Sequence, residues 1–186
     1  QQHAQSLRVV YAPKVHGAWA LQRGCEPTPL SACVLFSSVA ALLGGAGQAN
    51  YSAANACLDA LATCRRTHGV AAASVQWGAW AEVGMAARGA ASARMAAMEA
   101  ASGFGRIGLA QGLGALGMAV QQGSPPVLGV LPVTWSRFLG GAVAVPAFVV
   151  AFAPKGRGTA VAAEDDAVPA PTCTVSLEAV LAMARR

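Results

Sequence analysis

The chain has 186 residues, 55% of them hydrophobic and 11% charged, with a net charge of +5. There is ample material for a core and little for a well-solvated surface, so some apolar surface is expected to meet a partner or a further segment. No run reaches the roughly 18 uninterrupted apolar residues of a bilayer span, the nearest being "AVAVPAFVVAFAP" with Pro146 inside it, and the arginines are too scattered for a nucleic-acid surface.

The start, "QQHAQSLRVV", lacks the pattern of a signal peptide and reads as an interior cut. From about Ser6 to Arg23, apolar residues at Val9, Val10, Val15, Trp19 and Leu21 predict a helix that Pro13 starts or kinks. "PLSACVLFSSV" is a short continuous apolar run, as in a strand buried on both faces of a parallel sheet. After the glycines of "GGAGQ", Tyr51 to Arg66 is Ala-rich and free of Gly and Pro, which predicts a helix ending at Gly69 in the left-handed conformation.

"AAASVQW" predicts a second buried strand and "GAWAEVGM" a loop; helices are expected near Ala91 to Ala101 and Leu109 to Gln122, and "PPVLGVLPV" gives a third strand. This alternation is that of an α/β, Rossmann-like, doubly wound parallel sheet, whose ligands bind beyond the carboxyl ends of the strands. The expected division is a folded domain over 1–140, a linker over 141–173 rich in Ala, Val, Pro and Gly, and a new helix over 174–186 with Ser176 as its N-cap. Cys25, Cys33, Cys57, Cys64 and Cys173 are odd in number and without C-x-x-C spacing, so neither a disulfide framework nor a metal site is expected, and a reducing, cytoplasmic setting is.

Ser38 falls at the end of the first strand, and Tyr51 and Asn55, four apart, share one face of the following helix. A phenol titrates near 10 in water, and acting as acid and base near neutrality asks for up to about 4 kcal/mol of help. An ammonium 4 to 5 Å away supplies about 3 to 4 kcal/mol at an effective dielectric near 20. Only Lys14 and Lys155 are available, and only Lys14 lies in the expected folded region. A serine hydroxyl facing the same carbonyl would stabilise charge as it develops, giving carbonyl reduction without a metal. Spacing alone leaves the plainer alternative standing: Tyr51 as a packing residue, Lys14 solvated, Ser38 in a strand-end turn.

"VLFSSVAALLGGAGQANYSAANACLDALA" followed by "SVQWGAWAEVGM" resembles the C-terminal half of the ketoreductase domain of modular polyketide synthases, a branch of the short-chain dehydrogenase/reductase superfamily. "APKVHGAWAL" is similar to the preceding helix of that family, and "PVLGVLPVTWSRFL" to its closing strand, so the resemblance covers most of residues 5 to 140. In most of the superfamily a lysine follows the tyrosine by four; in this branch an asparagine stands there and the lysine comes from the earlier helix. Asn55 after Tyr51, with Lys14 before, shows that exchange.

The resemblance implies that Tyr51 donates the proton, Ser38 polarises the carbonyl, Lys14 tunes Tyr51 and contacts the nicotinamide ribose, and Asn55 completes a hydrogen-bonded relay. It implies hydride transfer from NADPH to a β-ketoacyl chain held by phosphopantetheine on an acyl carrier domain. Trp77, Gly78 and Trp80 would line the nicotinamide and substrate side, and Gly84, Met85 and the residues to about Ala101 would form a lid; for the two tryptophans core packing is the alternative. Leu43 stands where one stereochemical class carries a tryptophan, which leans toward the other class.

The glycine-rich dinucleotide turn is absent, and "GFGRIG" follows no strand, so the cofactor phosphates call for the N-terminal half of the same domain, upstream of Gln1. "SLEAVLAMARR" resembles the first helix of an acyl carrier domain, so other synthase domains are expected partners. Two other readings are a superfamily enzyme acting on a free small carbonyl compound, and a non-catalytic structural module. The piece by itself is expected to be inactive.

Overall fold

The computed structural model describes residues 3–25, 30–81, 101–140, 145 and 147–153. The expected linker beyond residue 153, the helix at Ser176, the stretch 91–100 and Met85 lie outside these residues.

The first helical stretch is longer and less regular than the apolar spacing predicts. His3 caps helix α1, Ala4–Tyr11, with its imidazole accepting from the Ser6 N–H. Pro13 has no N–H to return to the carbonyl of Val9, so the α ladder is interrupted there, and Ala12–His16 form a π turn closed by the Gly17 N–H on the Ala12 carbonyl. Helix α2, Gly17–Cys25, continues the run. The kink expected at Pro13 is thus a wide turn, and Lys14 sits within it.

Three strands, β1 (Val34–Ser38), β2 (Ala73–Trp77) and β3 (Val127–Val130), form a parallel sheet in the order β1-β2-β3. Parallel pairing needs a crossover. A short helix, α3 (Ala40–Leu43), and the long α4 (Ala49–Thr67) make the first, and α5 (Leu109–Ala119) lies in the second. β2 is buried at every position, as expected of the second buried strand. β1 is not: Phe36 is 54% exposed, because β1 is an edge of the described sheet and carries a helix layer over one face only at that point.

The alternation of strand side chains sorts two cores. Ala73, Val75 and Trp77 face α5 and pack with Ile107, Ala119 and Leu116. On the opposite face, Leu58 and Leu61 of α4 pack with Ala18 of α2 and Leu35 of β1. Buried apolar residues of α4 fall at Ala54, Leu58, Leu61 and Ala62, the helical spacing of one inward face, and each buried leucine contributes about 2 kcal/mol. Helix α4 ends as predicted: Gly69 has φ +74°, its N–H donates to the Arg66 carbonyl, and the Val70 N–H reaches the Arg65 carbonyl.

Beyond β2 the chain stays extended enough for Ile107 to pair with Trp80, the Ala81 N–H reaching the Ile107 carbonyl. A short helix α6, Trp135–Phe138, follows β3. Within the stretch expected as linker, Ala147–Phe152 form a 3-10 turn, and the Phe152 ring stacks on Trp135 with centroids 4.3 Å apart.

Candidate active site

The carboxyl end of β1 delivers Ser38 opposite Trp77 of β2 in parallel register. The Ser38 hydroxyl oxygen accepts from the Ala40 N–H at 3.2 Å, which holds it at the entry to α3, and the Val39 N–H donates to the Trp77 carbonyl. Tyr51 follows in the first turn of α4. Asn50 beside it ties this end of α4 to α1, its side-chain amide donating to the Ser6 carbonyl at 3.1 Å.

Lys14 comes from a separate helical segment, and the fold brings it to Tyr51. Its Nζ lies 5.5 Å from the centroid of the Tyr51 ring and donates to the Phe36 carbonyl at 3.0 Å. An ammonium over a phenol face is attracted to the ring by about 0.5 to 2 kcal/mol. One of three ammonium donors serves Phe36, leaving donor capacity for a ligand hydroxyl.

Asn55 is fully buried, and its side-chain amide donates to the backbone carbonyl of Tyr51 at 2.8 Å. Its Oδ1 is buried without a hydrogen-bond partner. Such an acceptor is costly to bury and marks a place where a water or ligand donor fits.

Three rings follow one another in tilted contact: Phe36 to Trp77 at 5.6 Å and Trp77 to Trp80 at 5.1 Å between centroids. Trp77 is 7% exposed and belongs to the sheet core, as the packing alternative has it, while its indole Nε1 has no partner. Trp80 packs on α5, where a β-carbon on Gly112 would overlap its ring at Cη2 and Cζ3. Gly78 gives its N–H to the Val130 carbonyl, and any side chain there would press on Leu131. Leu43, half-buried, ends α3.

The structure therefore brings Lys14, Tyr51 and Asn55 together, sets Ser38 beside Trp77, and extends the aromatic run to Trp80. A cleft of about 640 Å³ lined by Trp19, Leu61, Arg65 and His68 lies at the other end of α4. Among the described residues there is no cluster of three or more metal-ligating side chains, and no helix long and apolar enough to cross a membrane. Sequence reasoning passed over Asp59, which accepts from the Ser74 hydroxyl at 2.6 Å and the Gln76 amide at 2.8 Å. Two polar residues, two apart in an otherwise apolar strand, were the available signal.

A three-stranded parallel sheet between helix layers is a partial Rossmann-like fold of the short-chain dehydrogenase/reductase type, and here it carries a serine at a strand end and a tyrosine in the first turn of α4. Residues 1–82 match the family model described as KR domain. The chain is 43% identical over 129 residues to polyketide synthase GfsB of Streptomyces halstedii, covering 69% of this chain and 2% of that synthase. It is 49% identical over 90 residues to the phthioceranic/hydroxyphthioceranic acid synthase of Mycobacterium bovis, covering 48% of this chain and 4% of that protein. Similar solved structures include an A-type ketoreductase from a modular polyketide synthase, with TM-score 0.67 and 35% identity over 74% of this chain and 28% of that one. Another is the ketoreductase of the first module of phoslactomycin biosynthesis in Streptomyces sp. HK803, with TM-score 0.64 and 40% identity over 82% and 33%. Residues 1–82 thus match a KR domain, and over the aligned stretches the sequence is similar to polyketide synthases and their ketoreductases. The chain spans about a third or less of these solved ketoreductases and a few per cent of the synthases.

Proposed function

We propose that this chain is the C-terminal, catalytic part of a ketoreductase domain that reduces a β-ketoacyl thioester, carried by phosphopantetheine on an acyl carrier domain, to the β-hydroxyacyl thioester. The observation that carries this reading is the placement of Lys14, from the helix before β1, over the ring of Tyr51, with Asn55 one turn further along α4.

NADPH, when bound, supplies the hydride. Ser38 donates a hydrogen bond to the ketone oxygen and favours the charge that develops there as the carbonyl π pair moves onto oxygen. Tyr51 gives that oxygen its phenolic proton, so the ketone gains a hydride and a proton and becomes the alcohol. Lys14 stabilises the phenolate left behind and offers a further donor to the nicotinamide ribose. Asn55, with its free Oδ1, receives a donor from a water that returns a proton towards Tyr51. The spare donors of Lys14 and the unpartnered Asn55 Oδ1 fit the nicotinamide end of such a cofactor. Its phosphates require a glycine-rich turn from the N-terminal part of the domain. Trp80 and Leu43 border the substrate side, and Leu43 in place of tryptophan supports the stereochemical class that lacks the tryptophan.

The test uses the complete reductase domain. NADPH consumption is measured with a β-ketoacyl chain on a carrier domain and with a free small ketone. Turnover is expected on the carrier-bound chain, with Tyr51→Phe lowering kcat by about 100-fold or more while NADPH still binds. NADPH binding with no turnover of either ketone would support a structural module and sink the catalytic reading. The 186 residues alone are expected to be inactive.

A further inference from the structure

The α4-facing side of the sheet carries an unexpected polar stripe. Ser37 of β1 and Ser74 and Gln76 of β2 are 5%, 0% and 8% exposed. All three are answered from α4. The Ser37 hydroxyl donates to the Asn55 backbone carbonyl at 3.3 Å, and Ser74 and Gln76 donate to the two carboxylate oxygens of Asp59. Tyr51, Asn55 and Asp59 stand at i, i+4 and i+8, so the helix edge that presents the phenol also carries the bonds to the sheet.

An apolar interface of similar volume would hold α4 on the sheet as firmly, since a partly buried charged hydrogen-bonded set seldom exceeds a hydrophobic replacement in net stability. What the polar set adds is register. A leucine face can slide or roll by a fraction of a turn, whereas one carboxylate gripping two strand side chains, two residues apart, fixes both the axial position and the rotation of the helix. Asp59 lies eight residues from Tyr51, about 12 Å along the helix axis. At that lever arm a tilt of about 5° moves Tyr51 by about 1 Å, a displacement that can cost about 100-fold in rate.

We propose that Asp59 is a positioning residue for the reduction: by clamping Ser74 and Gln76 it sets α4 on β2 so that Tyr51 meets Lys14 and the carbonyl held by Ser38. This rests on the catalytic reading of Tyr51 proposed above. Asp59 acts through its bonds to Ser74 and Gln76.

The test is made in the complete reductase domain with NADPH and a β-ketoacyl thioester. The variant Asp59→Leu/Ser74→Ala/Gln76→Leu removes the clamp and leaves none of its polar groups buried and unpaired, so it is expected to fold. It is expected to bind NADPH and substrate with KM within about 3-fold of the parent while kcat falls about 10- to 100-fold. Asp59→Asn keeps an acceptor for Ser74 and, with the Gln76 amide turned over, a donor for its oxygen, and is expected to retain kcat within about 3-fold. Wild-type kcat in the folded triple variant overturns the proposal, as does an equal loss of kcat in Asp59→Asn. Tyr51→Phe is the control: full activity there would overturn the catalytic reading, whereas loss there with a fully active triple variant overturns the role of Asp59 alone. Should the triple variant fail to fold, Gln76→Leu is measured instead, with the same kcat loss expected in part and unchanged kcat counting against the clamp.

Discussion

The ammonium of Lys14 donates to the carbonyl of Phe36 at 3.0 Å, which fastens the π turn between α1 and α2 to the strand that ends in Ser38. One side chain thus links the helical segment before the sheet to the strand end, while lying over the Tyr51 ring on a third element. Removing it should loosen all three at once.

Lys14→Met keeps the aliphatic stem and removes the charge. In the complete domain kcat is expected to fall about 100-fold or more, because the phenolate has lost its counter-charge. The stability loss should stay near 1 kcal/mol, the worth of one partly exposed hydrogen bond and ring contact. Steady-state kinetics beside a denaturant titration separate the two effects.

Asn55→Ala should show the opposite of a core residue's usual balance. The amide donates to the Tyr51 carbonyl, but its Oδ1 is buried and unanswered, so the side chain contributes little net stability. A loss of about 1 kcal/mol is expected in urea unfolding. Turnover should drop at least about 10-fold, and a variant with full turnover would remove Asn55 from the relay.

Gly112→Ala should disturb Trp80 rather than α5. The new methyl would occupy the space of the Trp80 ring, which must swing away from its packing against Trp77. A stability loss of about 1 to 3 kcal/mol is expected, typical of overpacking, with a shift of tryptophan fluorescence. Gly114→Ala, two residues on, meets open space and should stabilise the helix by up to about 1 kcal/mol.

Tyr11 on α1 and Cys57 on α4 both hold their protons more tightly than usual, chiefly through burial, with their mutual interaction raising the tyrosine further. Both groups are neutral when protonated. Their contribution to stability is therefore complete below the ordinary thiol range and is lost as pH rises through the elevated values. Thermal melts from pH 7 to pH 10 should show the Tm falling less steeply in Tyr11→Phe/Cys57→Ala than in the parent, and Cys57 should alkylate slowly at neutral pH.

Much of the fold was legible because burial writes a simple pattern. "ASVQW" is a short run between turn signals, and the central strand it predicts is buried throughout. α4 and its glycine stop were legible for the same local reasons. The exposure of Phe36 was not, since an apolar residue at a sheet edge has the same letter as one in the middle. Tyr51 and Asn55 share a helix face by spacing alone, whereas the reach of Lys14 depends on how a remote helix packs: the lysine count singled it out, and the resemblance to a family gave it a place beside Tyr51. Asp59 was passed over because a carboxylate in an amphipathic helix ordinarily reads as solvated, and its partners lie in a different element.

The π turn at Ala12–His16 accommodates one residue more than an ordinary helical turn would. Loss of a single codon between Leu7 and Tyr11, in the regular part of α1 that has no such slack, would swing everything before it by about 100° about the helix axis. His3, Ser6 and the bond from Asn50 would all turn away from α4, so this segment should tolerate exchange of side chains far better than any change in its length.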